Sequence, residues 1–361
     1  MSLMKTYKAA VGVRGDCLYC PLSLSIDSYW NCLVDCHHCW VRRLNHVWGT
    51  DLRPANPEDV ERKLVNGLKN KNPHTTLAHA LYRKKTLRLG NKSDPYQPAE
   101  LQYEVSHQIL QILIKLKWSF VIQTRFVNTL YRDEALLSSA NEEGLLSIMP
   151  VISPGGDIDQ ELLERGRTPT IDKRLKYIKQ YIKLGYNVGV NGEPFIPGFH
   201  TVSQFEDMVV RLKSIGVKSY NTYNFHFNDF VAKRLCNIGV DIEKIWKYNQ
   251  DQHWKKIQQQ LCDIAKKHDM LLGCPDFVNT GPEWKEKANT CCGINVPNPT
   301  RGNTHYWKRL LQKGYTPEQV LEKTWEGIGD KDLAQKILHG TKCDNYTMKD
   351  AGLYNGNEML Q

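Results

Sequence analysis

The chain of 361 residues has no apolar run long enough to cross a membrane as a helix. This excludes a helical membrane anchor within it. Its first residues, Met-Ser-Leu-Met-Lys, contain no apolar signal core, so the expected location is cytoplasmic, without a membrane partner. Internal repeats and low-complexity tracts are also missing, which excludes a repeat array. Acidic residues are absent from one long stretch. Between Arg62 and Lys92 there are nine Lys or Arg and no Asp or Glu. Such a block attracts anions, a nucleic-acid backbone among them, and equally suits a plain solvated basic face. The net charge of +9 is moderate for this length, and 41% hydrophobic with 24% charged residues describes an ordinary globular chain.

Cysteine is plentiful, with eleven in the chain. In a reducing compartment these are metal ligands or free thiols rather than disulfides. Cys236 and Cys262 stand alone, as core cysteines do; Cys17, Cys20, Cys32, Cys36 and Cys39 crowd the first 40 residues. Cys32-Leu-Val-Asp-Cys36-His-His-Cys39 has the spacing C-x3-C-x2-C. Three thiolates so placed can hold three irons of a [4Fe–4S] cluster and leave the fourth open. The rival pattern is a zinc site, because Cys17/Cys20 and Cys36/Cys39 are two C-x2-C pairs separated by fifteen residues. The zinc pattern leaves Cys32 without a role. Spacing alone leaves both readings open.

Hydrophobic periodicity gives a repeated βα rhythm. Strands are expected at 23–26, 86–90, 119–124, 145–152, 186–191, 217–224 and 270–274. Asn56-Pro57 caps a helix lined by Val60, Leu64 and Leu68. Further helices are expected at 101–116 and 133–141, along Ile171, Leu175, Ile178 and Ile182, and along Trp254, Ile257, Leu261 and Ile264. Another opens at a capping box, Ser203-Gln-Phe-Glu206, and ends at Gly216. The expected fold class is α/β: a partial (β/α)6-type TIM barrel with a C-terminal extension, and a doubly wound open sheet as the alternative. The boundaries are an N-terminal segment 1–16, the barrel at 17–274 and a cysteine-containing extension at 275–361. In a barrel the active site forms at the C-terminal strand ends, which is where the cysteine loop falls.

The cysteine loop on such a chain resembles the radical S-adenosylmethionine (SAM) superfamily. Five segments narrow the resemblance to the spore photoproduct lyase-like group. They are Cys20-Pro-Leu-Ser-Leu-Ser-Ile-Asp-Ser-Tyr-Trp-Asn-Cys32, Gly90-Asn-Lys-Ser-Asp-Pro-Tyr-Gln-Pro-Ala-Glu100, Ile122-Gln-Thr-Arg-Phe-Val with Arg132-Asp133, Pro169-Thr-Ile-Asp-Lys-Arg174 and Pro194-Phe-Ile-Pro-Gly198. The resemblance implies a [4Fe–4S] cluster on Cys32, Cys36 and Cys39 whose open iron chelates SAM. An electron from the cluster then cleaves SAM to methionine and a 5′-deoxyadenosyl radical, which abstracts hydrogen from the substrate.

The resemblance also implies roles for other residues. Ser93, with Gly90 and Asn91, lies near the SAM amino group, and Arg125 faces the SAM carboxylate. Asn191 and Glu193 are candidates for the ribose hydroxyls. His38 stands where the group has an aromatic residue, and either packs over the adenine or donates a hydrogen bond to the cluster; Trp40 takes part of the aromatic role. Asn91 occupies the position of the hydrogen-donating cysteine of spore photoproduct lyase, so thymine-dimer repair is not implied. Cys274 is a candidate replacement donor, with Tyr223 and His226 in the pocket and Phe225 and Phe227 in packing. Cys291, Cys292 and Cys343 are candidates for a second iron–sulfur cluster or metal, with Cys274, Cys17 and Cys20 as further possible ligands.

The implied partners are a one-electron reductant of flavodoxin or ferredoxin type and, through the basic block, nucleic acid. The substrate expected is a nucleic-acid base or nucleotide. The alternatives are a radical SAM enzyme acting on a peptide or small metabolite, and a non-catalytic, zinc-stabilised nucleic-acid-binding protein.

Overall fold

A computed structural model describes residues 6–13, 22, 24–43, 49–222, 225, 227–273, 314–316 and 319. The expectations for Cys17, Cys20, Tyr223, His226, Cys274, Cys291, Cys292 and Cys343, and for nearly all of the C-terminal extension, lie outside these residues.

The chain opens with β1 (Val11–Val13), antiparallel to β2 (Leu24–Ile26). A short ribbon follows, β3 (Tyr29–Trp30) against β4 (Arg53–Pro54), and the cysteine loop runs between them. Helix α1 (Pro57–Lys69) starts as its sequence dictates, with the Asn56 side chain accepting from the Glu58 and Asp59 amides and Pro57 in the first turn. Helix α2 (Thr76–Tyr82) leads into β5 (Leu87–Leu89). Then come α3 (Glu100–Tyr103), α4 (Val105–Lys115), β6 (Phe120–Thr124), α5 (Val127–Leu130), α6 (Glu134–Glu142) and β7 (Leu146–Pro150). A wide helical turn at Asp159–Leu163 precedes α7 (Ile171–Lys183) and β8 (Val190–Asn191). Helix α8 (Val202–Ser214), β9 (Ser219–Asn221), α9 (Asp229–Cys236), α10 (Ile242–Tyr248), α11 (Asp251–Lys267) and β10 (Leu271–Gly273) complete the order.

Strands β2, β5, β6 and β7 pair in parallel in chain order, as do β8, β9 and β10. Parallel bridges Ile148–Val188 and Val151–Asn191 join the two sheets. Among the described residues no ladder joins β10 back to β2, so the sheet has two ends. The fold is therefore α/β, with helices between the parallel strands from β5 to β10, and the C-terminal ends of the parallel strands point to one side.

Several boundaries differ from the sequence reading. The helix expected at 101–116 breaks at Glu104, whose φ is +51°. The cause is Glu100: its buried carboxylate accepts the amides of Ser106 (2.9 Å) and His107 (3.0 Å) and so caps α4 separately. The capping box of α8 is Thr201 with Gln204, two residues before the expected one. Helices α9 and α10 were missed because each is short. Both start at a side-chain cap, Asn228 Oδ1 on the Val231 amide (3.0 Å) and Asp241 Oδ1 on the Lys244 amide (2.9 Å). They bury Val231, Leu235 and Ile245 with Leu163, Ile196, Phe225 and Phe227 in an apolar cluster of their own. Phe225 and Phe227 are thus packing residues, as expected.

Candidate functional site

The cysteine loop leaves β3 through Asn31, a left-handed residue (φ +74°). Gln97, fully buried, clamps the loop backbone: its Oε1 accepts the Leu33 amide (2.7 Å) and its Nε2 donates to the Asn31 carbonyl (3.1 Å). Arg42 donates to Asn31 Oδ1 and to the Cys32 carbonyl, both at 2.5 Å. Asp35, also left-handed, is the hub of the loop. Its carboxylate meets Arg42 Nε (2.8 Å), Arg234 from α9 (2.9 Å) and Arg165. Arg234 further donates to the Asp35 (2.8 Å) and Cys36 (3.1 Å) carbonyls. The loop is thus fastened by residues from distant parts of the chain rather than by local turn chemistry. Replacing Gln97 by alanine is expected to leave a buried amide and a buried carbonyl unpaired, at about 1–3 kcal/mol each. A lowered melting temperature of the metal-free protein and a lower iron content after reconstitution would check this.

Cys32, Cys36 and Cys39 are all free thiols. Burial pushes the Cys32 thiol up to about 11, with the Asp94 charge adding to the rise, and burial raises Cys36 well above its ordinary value. Thiols in such surroundings become thiolates when a cation binds them. Among the described residues, no three His, Cys, Asp or Glu side chains gather closely enough to hold a single metal ion. A [4Fe–4S] cluster spreads its thiolates over separate irons, so it does not need that convergence. Three unpaired thiols on a firmly held loop therefore fit the cluster.

His38, between Cys36 and Cys39 in sequence, is buried, and among the described residues its Nδ1 has no hydrogen-bond partner. Burial and then the Arg125 charge lower it to about 3, so the ring is neutral. Trp40 packs on the apolar cluster of Leu163, Ile196 and Phe225.

The end of β5 supplies the next group. Gly90 has φ +90°, and a Cβ there would come within 2.5 Å of Pro95 Cδ and 2.7 Å of the Gln123 carbonyl oxygen, so only glycine fits. The Asn91 and Lys92 amides both donate to Asp27 Oδ1, at 2.8 and 2.7 Å. The Asn91 side-chain oxygen accepts from Arg88, while its Nδ2 is buried without a partner among the described residues. Ser93 donates its hydroxyl to the Tyr29 carbonyl (2.7 Å), which ties β5 to the strand ahead of the cysteines.

Asp94, which lies in the Gly90–Glu100 segment but takes no role of its own in the sequence reading, connects β5 to β6. It accepts from Thr124 Oγ1 (2.5 Å), the Arg125 amide (2.7 Å) and the Tyr96 amide (3.0 Å). Burial nevertheless holds its carboxyl above the ordinary value. Arg125, at the end of β6, gives its Nε to Glu164 Oε1 (2.7 Å). Burial alone would weaken its hold on the proton, but the Glu164 carboxylate more than reverses this, so the guanidinium stays charged.

At the end of β8, Asn191 Oδ1 accepts the Glu193 amide (2.7 Å), and Asn221 Nδ2 reaches Glu193 Oε1 (3.4 Å). Gln123 Oε1, Ser153 Oγ, Asn221 Oδ1 and Thr222 Oγ1, at or just beyond the ends of β6, β7 and β9, are buried without hydrogen-bond partners among the described residues. Buried polar groups in folded proteins normally find partners. These four were not singled out from the sequence, where strand-end Ser, Thr, Asn and Gln look like solvated residues.

The basic block is spread over several elements. Lys69, Lys71, Arg83 and Lys84 lie around the end of α1 and around α2, on the side where β5 begins. Arg88 and Lys92 lie toward the end of β5; Arg88 contacts Asn91, and Lys92 sits 5.7 Å from the centre of the Trp30 ring. Lys63 donates to the Val11 carbonyl (3.0 Å) and Arg62 pairs with Asp59. No helix of the described residues is long and apolar enough to cross a membrane.

No protein-family model matches the chain. An uncharacterised protein of Mycobacterium tuberculosis is 24% identical over 211 residues, 57% of this chain and 59% of that protein. The match thus spans little more than half of the curated relative's length. Spore photoproduct lyase, solved in complex with dinucleoside spore photoproduct, superposes with a TM-score of 0.53 at 11% identity, over 75% of this chain and 81% of that one. Its C140A mutant gives 0.50 at 12% identity, over 70% and 76%. The resemblance read from the motifs is matched at the level of the fold: this chain shares the architecture of spore photoproduct lyase.

Proposed function

We propose that this chain is a radical SAM enzyme built on a partial (β/α) barrel, with a [4Fe–4S] cluster on Cys32, Cys36 and Cys39. The observation that carries this reading is the joining of three free thiols, on one pinned loop, to a charged arginine at the end of β6, within the fold of spore photoproduct lyase. When bound and reduced, the cluster would supply the electron that cleaves SAM to methionine and a 5′-deoxyadenosyl radical.

The chain's own residues bind and orient. Arg125 offers a guanidinium to the SAM carboxylate. Ser93 has spent its proton on Tyr29, so its oxygen is left to accept from the SAM ammonium group. Gly90 lets the β5 end approach without a side chain. Glu193, oriented by the Asn191 and Asn221 amides, suits the ribose hydroxyls. Neutral His38 offers an apolar ring face to the adenine.

Asn91 has no thiol to return hydrogen, so the chemistry after radical formation differs from that of a photoproduct lyase. For the substrate we propose a nucleic-acid base or nucleotide, supported by the architecture shared with a protein solved with a dinucleoside and by Arg88 and Lys92 toward the end of β5. DNA modification is the form of chemistry this suggests. Lys69, Lys71 and Arg83 lie at the other end of the strands and do not support it. A reductant of flavodoxin or ferredoxin type and a cytoplasmic setting belong to the same proposal. Cys274, Cys291, Cys292 and Cys343 carry no part of it.

Electron paramagnetic resonance of the anaerobically reconstituted, dithionite-reduced protein tests the cofactor reading. A cluster signal that changes on adding SAM supports an open iron; a signal indifferent to SAM refutes it. Titration with single-stranded oligonucleotides tests the substrate class, and no binding at low salt would leave the peptide or small-metabolite version standing.

A further inference from the structure

We propose that Glu164 is a positioning residue: with Arg174 behind it, Glu164 orients the Arg125 guanidinium so that both terminal nitrogens meet the carboxylate of SAM. This deepens the site reading above and rests on it. Glu164 has no counterpart in the motifs that carry the resemblance, and its role comes from three sets of contacts.

The first is its own placement. Glu164 is 1% exposed, and its amide donates to the Asp159 carbonyl (2.8 Å) at the close of the Asp159–Leu163 turn. Asp159 is itself fixed, by His200 Nε2 (2.9 Å) on one oxygen and the Gly155 amide (2.8 Å) on the other. Thr168 Oγ1 donates to Glu164 Oε2 at 2.5 Å. The carboxylate therefore has a defined direction before any ligand arrives.

The second is Arg174, a fully buried guanidinium. It donates to the Pro169 (2.9 Å) and Val151 (3.0 Å) carbonyls and to both Glu164 oxygens. Every nitrogen of its fork is used, so Arg174 cannot turn to a ligand. Its effect is on Glu164: burial would raise that carboxyl, but Arg174, and after it Arg125, draw it down to about 2.

The third is what this leaves for Arg125. Its Nε is held by Glu164 and its amide by Asp94, while neither terminal nitrogen has a hydrogen-bond partner among the described residues. The side chain keeps 18% exposure. A guanidinium held at Nε presents its two terminal nitrogens end-on, the geometry that receives a carboxylate through two parallel hydrogen bonds. Charge points the same way. A lone Glu164 would neutralise Arg125 and oppose a second carboxylate; Arg174 offsets the Glu164 charge from its other side. The segment that carries Glu164 also holds the cysteine loop, through the His37 amide on the Leu163 carbonyl (2.8 Å) and Arg165 on Asp35. One element thereby sets the distance between the cysteines and Arg125.

The test compares two ligands on reconstituted protein: SAM, and decarboxylated SAM, which keeps the amine, sulfonium and adenosine but lacks the carboxylate. The variants are Glu164→Gln, which removes the charge, and Glu164→Asp, which keeps the charge beside Arg174 but withdraws the oxygen from Arg125. Both variants lower the melting temperature, so stability does not discriminate. The expected result is a loss of SAM affinity of about tenfold or more, with affinity for decarboxylated SAM unchanged. If Gln prevents folding, Asp is expected to show the same selective loss. Equal weakening of both ligands, or no weakening of either, overturns the proposal. A wild-type protein that takes up iron and sulfide but binds neither ligand refutes the site reading itself, and this proposal with it.

Discussion

Replacing Cys32 by alanine is expected to give a folded protein that no longer retains a [4Fe–4S] cluster or cleaves SAM. The fold should survive because the backbone at this point is held by other residues: Asn31 Oδ1 on the Cys32 amide (2.8 Å), Arg42 on its carbonyl (2.5 Å) and Gln97 on either side of it. Truncation removes a single sulfur atom, so the cavity it leaves is small. What is lost is one of the three thiolates that the cluster needs; of the other described cysteines, Cys236 lies on α9 and Cys262 on α11. Iron and sulfide analysis beside a thermal melt separates the effects. The same variant addresses the zinc reading, whose two C-x2-C pairs do not include Cys32. Unchanged zinc content in Cys32→Ala would support that reading.

The second large effect is expected at Gly90. Alanine there meets two penalties. The backbone φ of +90° is unfavourable for any residue with a Cβ, at about 1–3 kcal/mol. The new methyl would also stand 2.5 Å from Pro95 Cδ and 2.7 Å from the Gln123 carbonyl oxygen. Neither neighbour is free to yield: Pro95 follows the thrice-bonded Asp94, and Gln123 belongs to β6. Overpacking of this kind adds roughly 1–3 kcal/mol. The melting temperature of Gly90→Ala should fall by about 5–15 °C, and SAM binding should be lost with it. Gly144→Ala is the control: its φ is also positive, at +67°, but nothing lies within 4 Å of the added methyl. Equal losses at the two positions would show that backbone strain, rather than close approach at the site, accounts for the effect.

Much of the frame could be read from the sequence because it is set by local rules. The apolar stripe of α1 with its Asn56 cap, and the strands centred on Arg88, Ile122 and Ile148, follow from periodicity and capping. The break at Glu104 did not, because it depends on a carboxylate four residues earlier turning back to cap the next helix. The division within the site is similar. The cysteines and Gly90 carry signals in spacing and residue type. Asp94, Gln97 and Glu164 act through partners far along the chain: Asp94 through Arg125, Gln97 through Asn31 and Leu33, and Glu164 through Arg125 and Arg174. An isolated Asp, Gln or Glu in a polar segment looks the same whether solvated or fully buried. The basic block shows the same limit. Its residues are close in sequence, but they divide among α1, the segment around α2 and the end of β5.

The account stands most directly on one measurement: anaerobic reconstitution with iron and sulfide, reduction with dithionite, and quantitation of methionine and 5′-deoxyadenosine after addition of SAM. A brown protein that forms both products, and a Cys32→Ala variant that forms neither, are the results expected. A colourless protein that holds stoichiometric zinc and leaves SAM intact would contradict the account.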